Sequence, residues 1–241
     1  NYTLLLKLHI LCLDDIIRAM RENPVRYPKA LILDIDGVVN WRVPFQYAGL
    51  PIIGQHHARK YPAYIGEVPV DTGSADDLTG FRNLFSVWRH FVAPVFPDVT
   101  RVIKGLDIQT AVFGNTGRPK ELNMVRATWD SLDMAGIDSR FKEIYFKPVG
   151  QKTVEHKLAV TKAIAEKYGE ENIVVADDNP FDLLPQAARL PAARFILIKD
   201  YTTNKLLKGI DMPEHYPNVV IGRTFRHGLN VVMALELPVA A

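Results

Sequence analysis

The sequence predicts an α/β fold built on a doubly wound parallel sheet. Short apolar runs alternate with segments of helical period from residue 97 onward. Proline, glycine, asparagine and aspartate bound those runs. The chemically loaded residues also fall where apolar runs end or helices begin, the edge at which open α/β sheets bind ligands.

Taken in order, Leu5, Leu8, Cys12, Ile16 and Ala19 are spaced for a packed amphipathic helix, so residues 1–29 are expected to form a helical extension. Pro24 and Pro28 separate it from the apolar run at 31–39, Leu31-Ile32-Leu33-Asp34-Ile35-Asp36-Gly37-Val38-Val39, which predicts a buried strand. Residues 30–241 form the expected core domain. Within it, prolines and glycines break every long period at 40–75, as in a loop-rich, cap-like insertion. Leu78, Phe81, Leu84, Phe85, Trp88 and Phe91 or Val92 then make one stripe, predicting a core-facing helix over 76–92. Beyond it, helices are expected near 98–105, 119–134, 153–168 and 224–235, with another starting near Phe181. Strands are expected at 108–113, 143–147, 172–176, 194–198 and 218–221.

With 241 residues the chain can bury one substantial core, and 48% hydrophobic with 23% charged residues is ordinary for a globular protein. A net charge of +2 gives no footprint for bulk nucleic-acid or membrane binding. The single Cys12 excludes an intramolecular disulfide and a multi-cysteine zinc site, and it suits a reducing, cytoplasmic setting. No apolar run approaches the ~20 residues that span a bilayer, so no membrane partner is expected. No P-loop or GxSxG elbow occurs, and His56, His57 and His90 lack a ligand set.

Four spots carry chemistry. Asp34 and Asp36 close the first apolar run, where two acids are costly unless a cation or a reaction uses them. Thr116, in Gly114-Asn115-Thr116-Gly117-Arg118-Pro119, offers a hydroxyl beside helix-initiating N–H groups suited to phosphate. Lys157 sits early in the 153–168 helix. Asp177 and Asp178, followed by Asp182, close a third apolar run. Carboxylates from two strand ends suit Mg²⁺, which prefers oxygen ligands.

This ordered set, Asp34-x-Asp36, Thr116, Lys157 and Asp177-Asp178, resembles the haloacid dehalogenase (HAD) superfamily of phosphatases and phosphotransferases over roughly residues 30–200. The resemblance implies a Rossmannoid core with a small or minimal cap after the first strand, and a Mg²⁺-dependent phosphomonoester hydrolase. Asp34 would attack phosphorus to form an aspartyl-phosphate, and Asp36 would be the acid–base. Thr116, with Gly117 and Arg118, would contact the phosphoryl group, and Lys157 would neutralise its charge. Asp34, Asp178 and the backbone carbonyl of Asp36 would hold the metal. Asp177 would pair with Lys157, and Asp182 would support the site or serve as an alternative ligand.

Several alternatives stay open at this level. Lys147 and Lys152 compete with Lys157 for the lysine position, Asp182 is equally suited to cap its helix, and Arg118 to be a surface residue at a helix start. Val38 stands where many members of the superfamily have Thr. Trp41, Arg42, Phe45 and Tyr47 either frame a substrate or pack as a loop. A thinner resemblance, to polynucleotide 3′-phosphatases, adds a nucleic-acid end to the phosphometabolite and nucleotide as substrate classes. A small cap leaves the site open to a bulky substrate or to cover by a neighbouring subunit. A phosphate-binding scaffold with little turnover is the competing function. A receiver-like module fits less well, because receivers place the acidic pair first and the lysine last.

Overall fold

The computed structural model describes residues 28–40, 94–199, 207 and 212–234. Nearly all of the expected 1–29 helical extension, nearly all of the 40–75 insertion and the whole of the expected 76–92 helix lie outside the described residues. So do His56, His57, His90, Trp41, Arg42, Phe45 and Tyr47.

Among the described residues six strands form one parallel sheet: β1 (Ala30–Leu33), β2 (Ala111–Pro119), β3 (Phe141–Lys147), β4 (Ile173–Asp177), β5 (Arg194–Ile198) and β6 (Val219–Gly222). Their order across the sheet is β3-β2-β1-β4-β5-β6. The chain therefore winds outward from β1 in one direction and restarts at β4 on its other side. The topological switch point lies between β1 and β4, where sheets of this kind open a crevice for ligands.

The apolar runs are nearly continuous because both faces of the sheet are covered. Leu31 and Leu33 of β1, Val112, Val174, Ala176, Ile196 and Ile198 pack on one side against Val99, Ile103, Leu132, Phe225 and Leu229. Those last residues belong to helices α1 (Pro97–Gly105), α2 (Leu122–Met134) and the C-terminal Phe225–Ala234 helix. Alternate strand residues Ala30, Ile32, Phe113, Ile173, Val175, Phe195 and Leu197 face the other way. There they meet Ile164 and Ala165 of α3 (Thr153–Tyr168) and Leu183, Leu184 and Ala187 of α4 (Pro180–Arg189). The period of two in the strands thus fills both layers.

Two strand boundaries differ from expectation. The run at 31–39 is strand only to Leu33; Asp34 to Asn40 form a buried turn in which Gly37 takes φ +85°, a conformation that favours glycine. Ile35, Val38 and Val39 are still buried, so their hydrophobicity reports burial without strand geometry. In β2 the strand runs on through Asn115, Thr116, Gly117 and Arg118 to Pro119, because Thr116 pairs with Phe146 of β3 before the register shifts towards Pro119 and Lys147. Asn40 closes an antiparallel bridge with Val95, and Phe96 N–H donates to the Val39 carbonyl at 2.9 Å. Among the described residues, no helix is long and apolar enough to cross a membrane.

Candidate active site

Register carries the four motif segments to one edge of the sheet. Leu33 pairs with Gly114 of β2 and with Ala176 of β4, so the residues that follow each of them emerge side by side. Asp34 N–H donates to the Ala176 carbonyl at 2.9 Å, which sets Asp34 beside Asp177 and Asp178 across the switch point. One carboxylate oxygen from each of Asp34, Asp177 and Asp178 lies within 4.8 Å of the other two, and all three residues are buried.

The lysine comes from α3. Its core-facing stripe contains Val154, Lys157, Thr161, Ile164 and Ala165, which places a cation on an otherwise apolar face. Lys157 Nζ lies 2.7 Å from Asp177 Oδ2, 3.2 Å from Asp34 Oδ1 and 3.4 Å from Asp182 Oδ2. Lys152 is exposed and faces Glu155 at 3.7 Å, while the buried Lys147 donates to the Gln151 carbonyl at 3.0 Å.

Burial pushes the Asp34 carboxyl well above its usual range. Lys157 opposes this shift, while Asp177, Asp178 and Asp36 reinforce it. For Lys157, burial alone would favour the neutral amine, but the charges of Asp177, Asp34 and Asp182 hold the ammonium well above its ordinary value. Hard, buried oxygen donors with a surplus of negative charge fit a small divalent cation such as Mg²⁺.

Asp36 stands apart from that cluster. Arg118 grips it with a fork, Nε donating to Oδ2 at 2.9 Å and Nη2 to Oδ1 at 2.8 Å. Arg118 is buried rather than displayed at a helix start, and the Asp36 side chain keeps 24% of its surface exposed. Thr116 is buried and its hydroxyl accepts from Arg118 N–H at 3.2 Å. A Cβ on Gly117 would lie 2.9 Å from Thr153 Cγ2, so glycine lets β2 approach the start of α3. Asp182 does not cap its helix. Asn179 does, its side chain accepting from Phe181 N–H at 3.1 Å while donating to Asp182 Oδ2 at 2.9 Å.

Several residues that sequence reasoning passed over support this arrangement. Asn115 donates to the Lys157 carbonyl at 2.9 Å and to Thr161 Oγ1 at 3.3 Å. Thr161 in turn donates to Gln186 Oε1 at 2.7 Å, and Gln186 donates to the Asp182 carbonyl at 2.7 Å. This buried polar chain ties β2, α3 and α4 together behind the ammonium. Thr161, a polar residue on the apolar stripe one turn after Lys157, was the available signal.

A six-stranded parallel sheet in this order, with acids at the switch point and a lysine from the crossover helix, defines the HAD-like fold. Solved structures agree. The chain is similar to a haloacid dehalogenase-like hydrolase from Streptococcus pneumoniae, with 14% identity, 86% of this chain and 97% of that chain covered, and a TM-score of 0.50. It is also similar to the HAD-hydrolase YfnB from Bacillus subtilis bound to magnesium, with 13% identity, 86% and 99% coverage, and a TM-score of 0.50. CbbY from Rhodobacter sphaeroides, in complex with phosphate, gives 15% identity, 84% and 99% coverage, and a TM-score of 0.50. No protein-family model matches the chain, and neither does any curated protein sequence. At such identities the likeness establishes the fold.

Proposed function

We propose that this chain is a Mg²⁺-dependent phosphomonoester hydrolase that works through an aspartyl-phosphate on Asp34. The observation that carries the reading is Asp34 itself, buried at the switch point, 3.2 Å from Lys157 and clustered with Asp177 and Asp178. The phosphate and magnesium bound in two proteins of the same fold support it.

Asp34, Asp178 and the Asp36 backbone carbonyl would hold the metal, and Mg²⁺ bound there supplies positive charge against the phosphoryl oxygens. An Asp34 carboxylate oxygen attacks phosphorus as the bond to the leaving oxygen breaks. Asp36 gives its proton to that oxygen, which departs as an alcohol. In the second step Asp36 takes a proton from water, the water oxygen bonds to phosphorus, and the P–O bond to Asp34 breaks to release phosphate. Lys157 balances the negative charge near Asp34, and Asn115 fixes the turn of α3 that carries it. Phosphoryl transfer asks for little more than this alignment and charge neutralisation.

Purified protein should hydrolyse an aryl phosphate with Mg²⁺ and form an acid-stable adduct 80 Da heavier, the mass of one phosphoryl group, on Asp34. Asp34→Asn should abolish both. A variant that keeps full activity would exclude the mechanism. Among phosphate monoesters, the small metabolite, the nucleotide and the nucleic-acid end remain the classes for a substrate panel. Negligible turnover on all of them would favour a phosphate-binding scaffold.

A further inference from the structure

We infer that Arg118 is a positioning residue for Asp36, acting through a rigid clamp anchored on α2; the inference rests on the phosphatase reading above. The guanidinium is fixed at three points. Its Nε and Nη2 take both Asp36 oxygens, and its Nη1 donates to Thr128 Oγ1 at 2.7 Å. Thr128 spends its own hydroxyl proton on the Met124 carbonyl at 2.8 Å. Its oxygen is therefore oriented as an acceptor, and Arg118 supplies the matching donor.

The same face of α2 holds the other end of the loop. Ser131 donates to the Thr128 carbonyl at 3.1 Å and accepts from the fully buried Asn40 at 3.0 Å. The turn from Asp34 to Asn40 is thus braced at two places by one helix, at Asp36 through Arg118 and at Asn40 through Ser131. A planar fork on a carboxylate fixes the plane of the carboxylate as well as its place. A lysine ammonium, being a point charge, would fix the place only. Arg118 therefore sets the direction in which Asp36 meets the leaving oxygen.

The test uses the full chain and two aryl phosphates. Under the proposed mechanism kcat/KM reports formation of the aspartyl-phosphate. Proton delivery matters there for phenyl phosphate and hardly at all for 2,4-dinitrophenyl phosphate, whose leaving group departs unprotonated. Arg118→Met should lower kcat/KM on phenyl phosphate by about 100-fold, the scale of general acid catalysis, and on the dinitrophenyl ester by less than about threefold. Adding Arg118→Met to Asp36→Asn should cost nothing further on phenyl phosphate. Arg118→Lys should not restore the loss. Thr128→Val keeps the fork while removing its anchor, and should show the same selectivity at about 10-fold, which preserves the test if Arg118→Met folds poorly.

Equal losses on both esters, or additive losses in the double variant, would overturn the positioning role while leaving Asp34 chemistry intact. Activity that survives Asp34→Asn would instead overturn the mechanism on which the inference rests.

Discussion

Asp34→Asn should make the metal-free protein more stable while destroying its activity. Asp177 and Asp178 place oxygens within 4.8 Å of an Asp34 oxygen, and Lys157 lies at 3.2 Å. With an effective dielectric constant of about 20, each repulsion is worth at least about 3.5 kcal/mol and the attraction about 5 kcal/mol. Repulsion therefore exceeds attraction by about 2 kcal/mol before the cost of desolvating Asp34 is counted. Removing the charge does not strand Lys157, which keeps Asp177 and Asp182. A gain of about 2 kcal/mol corresponds to roughly 4–8 °C in Tm for a chain of this size.

The pH dependence gives the sign a second check. The folded value of Asp34 lies above its unfolded value of 3.8. The native state therefore holds the proton more tightly, and wild type loses stability as pH rises from 3.8 through the folded value. The advantage of Asp34→Asn should grow over that window and then level off. Thermal melts in chelator at several pH values, read by circular dichroism, measure it. A variant with unchanged or lower Tm at the alkaline end would refute the electrostatic reasoning.

Three further outcomes are expected. Saturating Mg²⁺, at about 100 times its dissociation constant, should stabilise wild type by about 2.7 kcal/mol. Asp178→Asn should raise the Mg²⁺ concentration for half that effect by about 10-fold or more, and an unchanged titration would remove Asp178 from the ligand set. His156 is lowered below its ordinary 6.5 chiefly by burial. The charges of Lys157 and Lys147 lower it further, and its contact with the Tyr145 carbonyl opposes the shift. The unfolded chain therefore takes the proton first, and stability is lost as pH falls below 6.5. His156→Gln should flatten that loss in urea midpoints compared between pH 7.5 and 5.5, and equal slopes would contradict it. Gly228→Ala should destabilise by about 1–3 kcal/mol in chemical denaturation, because the new methyl would overlap Ile196 Cγ2 beneath the C-terminal helix. A neutral result would show that this helix can lift from the sheet at no cost.

The sequence made the fold legible wherever period and burial agree. The 153–168 helix and the 194–198 strand fall where their patterns put them, the helix on its 3.6-residue period and the strand on a continuous apolar run. The first strand is shorter than its apolar run because Ile35, Val38 and Val39 are buried in a turn, and hydrophobicity alone does not separate the two geometries. The second is longer than its apolar run because Asn115-Thr116-Gly117 is turn-forming by composition, yet pairing with β3 overrides that preference. At the site, the residues alone leave Lys147 and Lys152 open beside Lys157; the family resemblance favours Lys157, which lies 2.7 Å from Asp177. The Arg118–Asp36 fork joins residues 82 apart in the chain, and no local pattern encodes which side chain a buried guanidinium will choose. The same holds for the link from Asn115 to the Lys157 carbonyl, 42 residues apart.

The bridge between Asn40 and Val95 bears on how firmly the turn carrying Asp34 and Asp36 is held. Beside it, the Phe96 N–H donates to the Val39 carbonyl, so the turn is clasped to the start of α1. Asn40 is also anchored independently to Ser131. Both ends of the Asp34–Asn40 turn are therefore held by the core, at Asp36 by Arg118 and at Asn40 by Ser131. A turn pinned in this way has little conformational freedom left to lose, so its two aspartates meet anything that enters the switch point already ordered.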